Sequence, residues 1–217
     1  ELKYLITASF MAAPGALMMA KIIMPETEPH DEVSPAELMD ETDQPVNIFE
    51  AIGNGAMTGM QVALAVGAML IAFVGLIYLI NGVLSGVGGW FGYEGLTLQW
   101  LLGNLFAPIA FLLGVPWEEA TQAGSLIGQK LVINEFYAYA SFVQVKETLT
   151  PYTQLVVTFA LCGFSNLASI AILLGGLGAV VPSRRPDIAR LGLKAVIAGT
   201  LVNLMNASLA GFFFSLQ

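Results

Sequence analysis

The sequence predicts an all-α integral membrane protein, in which transmembrane helices are combined with a re-entrant helical hairpin and a broken helix. Three observations carry this. Hydrophobic residues make up 56% of the 217 residues and charged residues only 11%, against about 25% charged in an average soluble chain, and mean hydropathy is +0.75. Apolar runs long enough to cross about 30 Å of hydrocarbon recur along the chain. Two further apolar stretches carry polar residues that an isolated lipid-facing helix would not tolerate.

The net charge of −8 is local. Nine carboxylates and no Lys or Arg fall between Pro25 and Glu50, while the rest of the chain holds seven acids against eight bases. The acidity is that of one solvated connector on an apolar body. This composition excludes an ordinary cytosolic enzyme, a disordered tail and a nucleic-acid binder. Cys162 is the only cysteine and His30 the only histidine, so an intrachain disulfide, a Ser/His/Asp triad and a multi-His metal site are excluded too. No Walker-type lysine loop is present; the Gly-rich run at 175–178 has no preceding strand and no following lysine, and reads as close helix packing.

Residues 1–24 form the first transmembrane helix, apolar from Leu2 to Met24 and expected to kink at Pro14-Gly15. The run begins at Glu1 with no signal-peptide pattern, and a piece of a longer membrane protein is expected. Residues 25–60 are the acidic loop, with four prolines, followed by a short interfacial helix from Asn47 to about Met60. Residues 61–84 are the clearest span, 22 uncharged residues from Val62 to Val83. A Gly-rich aromatic turn at the bilayer surface follows.

Residues 95–139 read as two helical arms divided at Val115-Pro116-Trp117. The second arm, Pro116 to Tyr139, carries Glu118, Glu119, Gln122, Gln129, Lys130, Asn134 and Glu135. Each central charge facing lipid costs about 2.5–3.5 kcal/mol on the insertion scale, so a re-entrant hairpin packed inside protein is expected. Residues 149–182 form one apolar stretch, with 33 residues from Leu149 to Val181. Unbroken it would reach roughly 50 Å. A break at Gly163–Ser169 gives two half-helices. Residues 186–216 are the last span, preceded by the basic turn Pro182-Ser-Arg-Arg-Pro186. Arg184, Arg185, Arg190 and Lys194 place that turn inside, the C-terminus outside and the acidic loop in the cytoplasm.

Two places can carry chemistry. Glu135, with Asn134, is a carboxylate at membrane depth. It either accepts hydrogen bonds from ligand hydroxyls or forms a buried pair with Lys130. At the interruption Phe164-Ser165-Asn166, Asn166 and Ser169 share a helix face. They either hydrogen-bond between helices as membrane glue or, with a half-helix N-terminus beside them, meet a ligand. No nucleophile–base pair or metal cluster supports an intramembrane enzyme.

The run Gly128-x-Lys130-x3-Asn134-Glu135-Phe136-x-Ala138-Tyr139 resembles a signature of the concentrative nucleoside transporter (nucleoside permease) family, with Tyr137 in place of the usual Val. Ala160-Leu-Cys-Gly-Phe-Ser-Asn-Leu-Ala-Ser169, and Arg184-Arg185 through Gly199-Thr200-Leu-x-Asn203-Leu-Met, are similar to the same family. The resemblance is to the C-terminal half of such proteins and runs through essentially the whole chain. It implies half of an inverted-repeat transporter, a cation-coupled symporter working by alternating access, with nucleoside as substrate, lipid around it and a homotrimer when full length. It implies the bacterial inner membrane as location, no cofactor, and sodium or a proton as the co-transported ion.

By the same resemblance Glu135, Asn166 and Ser169 bind ribose, Phe164 lies near the sugar, and Val62 or Leu64 lends an apolar contact to the base. The family's first hairpin, with its Gln-Thr-Glu motif, and first broken helix have no match here. The ribose half of a site and no complete sodium site are therefore expected. A transporter for another polar solute, or a non-transporting structural or receptor subunit, is the alternative.

Overall fold

The computed structural model describes residues 2–27, 46–93, 95–180 and 182–217. Most of the acidic loop, with His30, and Val181 lie outside the described residues. The described chain is helical, with no strand: α1 (Leu2–Ile23), α2 (Ile48–Trp90), α3 (Leu98–Leu112), α4 (Trp117–Val132), α5 (Glu135–Val145), α6 (Pro151–Leu161), α7 (Leu167–Val180) and α8 (Arg185–Ser215). Among the described residues, α1, the Leu70–Trp90 part of α2, and α8 are long and apolar enough to cross a membrane. The chain divides into two compact units, Glu26–Val83 on one side and Glu1–Pro25 with Leu84–Gln217 on the other.

In the smaller unit the described chain is mostly α2 as far as Val83, and along this helix one sequence expectation is corrected. The interfacial helix at 47–60, the span from Val62 and the start of the Gly-rich turn are not separate elements. They are one helix of 43 residues. The sequence holds no proline between Pro45 and Pro108. Glycines alone weaken a helix by about 1 kcal/mol each without ending it. The stop comes at Gly92, whose φ of 72° continues no helix. Tyr93 N–H returns to Gly88 O at 2.8 Å and Gly92 N–H to Gly89 O at 3.2 Å, a Schellman closure.

In the larger unit, α3 and α4 form a hairpin bent by 115° at the Leu113–Pro116 corner. Thr97 starts α3 by accepting from Trp100 N–H at 3.1 Å. Small residues let the arms touch: Ala107, Ala110, Ala120 and Ala123 are buried between them. A Cβ on Gly124 would lie 2.6 Å from the Ala107 nitrogen. The second arm stops at Val132 rather than running on to Tyr139. Asn134, in extended backbone (φ −172°), accepts from Tyr137 N–H and begins α5 as a new helix.

Several polar residues of the second arm find protein partners. Glu119 accepts from Thr150 N–H and Thr150 Oγ1, both at 3.0 Å, where Thr150-Pro151 opens α6. A carboxylate there faces the positive end of that helix. α6 is buried along most of its length, and α8 packs against α1, α6 and α7. The expected kink site Pro14-Gly15 lies inside one continuous α1, where Gly15 is buried against Val202 and Met205 of α8.

The stretch from Leu149 onward is interrupted at 162–166, so Leu167 to Ser169, expected within the break, belong to α7. α6 ends at Leu161 and α7 begins at Leu167. At 11 and 14 residues they measure about 16 and 21 Å, each too short to cross alone.

Candidate functional site

Two helix starts meet at the site, each opened by an asparagine. Asn134 caps α5, which makes Glu135 the first residue of that helix. This differs from the expected place at the end of the second hairpin arm. The carboxylate sits in a first turn, where unpaired N–H groups favour negative charge. Asn166 performs the same office for α7: its Oδ1 accepts from Ser169 N–H at 2.8 Å and lies 3.0 Å from Ser169 Oγ. Ser169 Oγ also donates to Phe164 O, across the break.

One hydrogen bond joins the two starts. Asn166 Nδ2 donates to Glu135 Oε2 at 2.7 Å, between residues 31 apart in sequence. Asn166 is 3% exposed and Ser169 9%. Three of the four expected residues are therefore in one connected group. Phe164 belongs to the same break through its carbonyl, but the residue is 78% exposed and takes no part in the core. Of the two candidates for an apolar contact, Leu64 is exposed in the smaller unit and the side chain of Val62 lies outside the described residues.

The alternative of an ion pair between Glu135 and Lys130 is not the arrangement found. Lys130, 1% exposed, sends its ammonium to Ser165 Oγ at 2.6 Å. Ser165 Oγ accepts again from Asn203 Nδ2 of α8 at 2.8 Å. Gly163 allows this approach: a Cβ there would meet Asn203 Oδ1 at 2.5 Å, and its φ of +156° is one that side-chain-bearing residues rarely adopt. Sequence reasoning did not connect Lys130, Ser165 and Asn203. They are separated by 35 and 38 residues, and no helical or turn spacing relates them. Tyr137, the departure from the family pattern, accepts from Gln99 Nε2 at 3.0 Å and leaves the acid and the amides undisturbed.

Chemically, the group is a carboxylate beside a neutral amide and a hydroxyl, each near a helix N-terminus. Glu135 uses only Oε2 in these contacts and Asn166 Nδ2 only one of its two hydrogens, so an acceptor and a donor stand side by side. That pairing suits a polyol. Among the described residues no three His, Cys, Asp or Glu side chains form a metal-ligand group. A separate groove lined by Tyr4, Pro151, Gln154, Leu155, Thr158 and Phe214 contains none of these four residues.

Comparison with known proteins bears on this geometry. The family model described as "Na+ dependent nucleoside transporter C-terminus" matches residues 4–211. The uncharacterized transporter YutK of Bacillus subtilis is 56% identical over 212 residues, 98% of this chain and 52% of that protein. Nucleoside permease NupC of Helicobacter pylori is 50% identical over 224 residues, 100% of this chain and 52% of that protein. The chain spans about half the length of these curated relatives.

CNTnw in an inward-facing substrate-bound state superposes with a TM-score of 0.90 at 54% identity, covering 100% of this chain and 51% of that one. A CNTnw variant in an outward-facing state matches with a TM-score of 0.90 at 55% identity, covering 100% and 52%. These relatives are transporters and permeases, not enzymes.

Proposed function

This chain belongs to the sodium-dependent nucleoside transporter family, and on that footing we propose that it supplies the ribose-binding half of a cation-coupled nucleoside symporter working by alternating access. The observation that carries the reading is the 2.7 Å bond from Asn166 to Glu135, with Ser169 held on the same asparagine. A ribose 2′,3′-diol donates to the free oxygen of Glu135 and accepts from the second hydrogen of Asn166 Nδ2. Ser169 lends a neutral hydroxyl, and Phe164 lies beside the sugar. No covalent bond changes; the sugar hydroxyls exchange water for protein partners.

Leu64 or Val62 gives the base its apolar contact. Sodium is the coupled ion favoured by the name of the matching family, with a proton as the alternative. The solved relative CNTnw, found both inward- and outward-facing, supports the alternating-access part. The full-length protein is a homotrimer in the bacterial inner membrane, with the C-terminus outside.

The test compares uridine with 2′,3′-dideoxyuridine on the full-length transporter in detergent, by displacement of radiolabelled uridine. Loss of the diol leaves the second oxygen of Glu135 and the second hydrogen of Asn166 Nδ2 without a partner and weakens binding roughly ten- to hundredfold. In Glu135→Gln the difference between the two ligands narrows. Equal affinity of the two ligands for the wild-type protein removes the sugar from this site.

A further inference from the structure

Lys130 is, with Phe142, one of the two largest side chains that are almost wholly buried among the described residues, and of the two it alone carries a charge. Its ammonium has three N–H donors, and the hydrogen bond it makes is to the neutral hydroxyl of Ser165, at 2.6 Å. Burying an ammonium whose hydrogen bond goes to one neutral acceptor costs stability, which the charge of Glu135, attracting it without a direct ion pair, offsets only in part. A methionine fills a similar volume without that desolvation, so packing alone does not account for a lysine here. What the ammonium does is fix one residue of an unwound segment.

The residue it fixes has two neighbours that matter. Ser165 precedes Asn166, and Asn166 donates to Glu135. Lys130 and Glu135 lie on either side of the α4–α5 break at Ile133-Asn134, and Ser165 and Asn166 lie in the α6–α7 break. Two side chains from one break thus grip two consecutive residues of the other. From the third side, α8 closes on the same point. Asn203 Nδ2 donates to Ser165 Oγ at 2.8 Å, and a Cβ at Gly199 would meet the Ser165 Cβ at 2.9 Å. Thr200 Oγ1 stands 3.5 Å from Ser165 Oγ while donating to Val196 O at 2.8 Å. The charge also suits its surroundings: Lys130 lies in the last turn of α4, at the negative end of that helix.

We propose that Lys130 is a positioning residue of the nucleoside site, a tethered cation that clamps the unwound 162–166 segment through Ser165 and so keeps Asn166 within reach of Glu135. This rests on the reading of Glu135 and Asn166 as sugar ligands. Lys130 itself touches no substrate. It sets the geometry in which substrate is bound.

The experiment uses the full-length transporter and uridine. Affinity is measured by titration calorimetry and uptake in proteoliposomes, for wild type, Lys130→Met, Ser165→Ala, the double variant and Glu135→Gln. The clamp predicts that Lys130→Met weakens uridine binding by about tenfold or more, raising the uptake KM with little change in maximal rate, while the thermal midpoint stays level or rises. Ser165→Ala moves affinity in the same direction. The double variant is no worse than the stronger single, because both remove one interaction.

Additive losses, or wild-type affinity in Lys130→Met, overturn the clamp. If Lys130→Met does not fold, Ser165→Ala decides alone: it deletes one oxygen, and unchanged affinity overturns the proposal. Glu135→Gln separates the two levels. If it binds uridine like wild type, the sugar reading fails and the clamp with it. If it binds weakly while Lys130→Met and Ser165→Ala bind normally, only the clamp fails.

Discussion

The two chain breaks of the larger unit obey the same local rule and come to different ends. Asn134 opens α5 and Asn166 opens α7, each by accepting a backbone N–H three residues on, at 2.8 Å in both. At Asn134 the bond is local, closing a turn inside its own helix. At Asn166 the same oxygen does the capping while the amide nitrogen reaches 31 residues back to Glu135. A cap is thus one use of an asparagine's two-headed side chain, and the head left over decides whether the break is structural or part of a site.

Asp preserves the cap but not the second head, which makes the sharpest experiment a pair. Asn166→Asp keeps an acceptor for Ser169 N–H and replaces the donor to Glu135 with a carboxylate. Loss of a charge-assisted bond and like-charge repulsion together lower uridine affinity by about a hundredfold or more, with the helix intact by circular dichroism. Asn134→Asp leaves affinity within about twofold, since a cap is all that changes. Equal losses in the two variants would mean that Asn166 is a cap and nothing else.

The next largest effect tests the acid against another carboxylate of the same hairpin region. Glu135→Gln retains shape and turns the carboxylate into an amide that faces the Asn166 amide. Uridine affinity falls by about ten- to hundredfold. Glu118, exposed in the first turn of α4, tolerates the same change with no measurable loss. A matched loss at both positions would point to overall charge, and not to the site.

How much of this was legible depends on the range of the interaction. The breaks were readable because proline and polar residues interrupt apolar runs: Val115-Pro116 marks the hairpin corner, and Gly163 to Asn166 the end of α6. The acid, Asn166 and Ser169 were readable as candidates because a polar group in hydrocarbon must have a partner. Which partner was not readable. Lys130 stands five residues before Glu135 and invites a local pair, yet its acceptor is 35 residues away. The length of α2 is hard to read for the opposite reason: its glycines and aromatics look like a turn, and only the lack of proline and the late Gly92 closure keep it helical. Local rules place starts and stops, while the pairing of one break with another is set by packing on α8.

The cap at Asn134 isolates the local half of the comparison as a stability effect. Asn134→Ala removes the acceptor for Tyr137 N–H and costs about 1 kcal/mol. Thermal unfolding of the full-length protein should shift downward by a few degrees or less for a chain of this size. Uridine affinity changes less than in Asn166→Asp, because Glu135 keeps its partner. A loss of affinity as large as that of Asn166→Asp would show that the placement of Glu135 depends on its own helix start more than on Asn166.

The smallest effect belongs to Ser169, whose backbone and side chain can be separated. Ser169→Ala leaves the N–H on Asn166 Oδ1, so α7 keeps its cap. What goes is one neutral hydroxyl, which bridges Phe164 O and Asn166 Oδ1 across the break. A neutral hydrogen bond contributes about 0.5–1.5 kcal/mol, so uridine affinity falls about two- to tenfold, well short of Asn166→Asp. Ser169→Thr restores the hydroxyl at the same backbone position, and recovery in that variant ties the effect to the oxygen. If alanine is silent and threonine harmful, the residue is there for its small size, and the sugar is held by Glu135 and Asn166 alone.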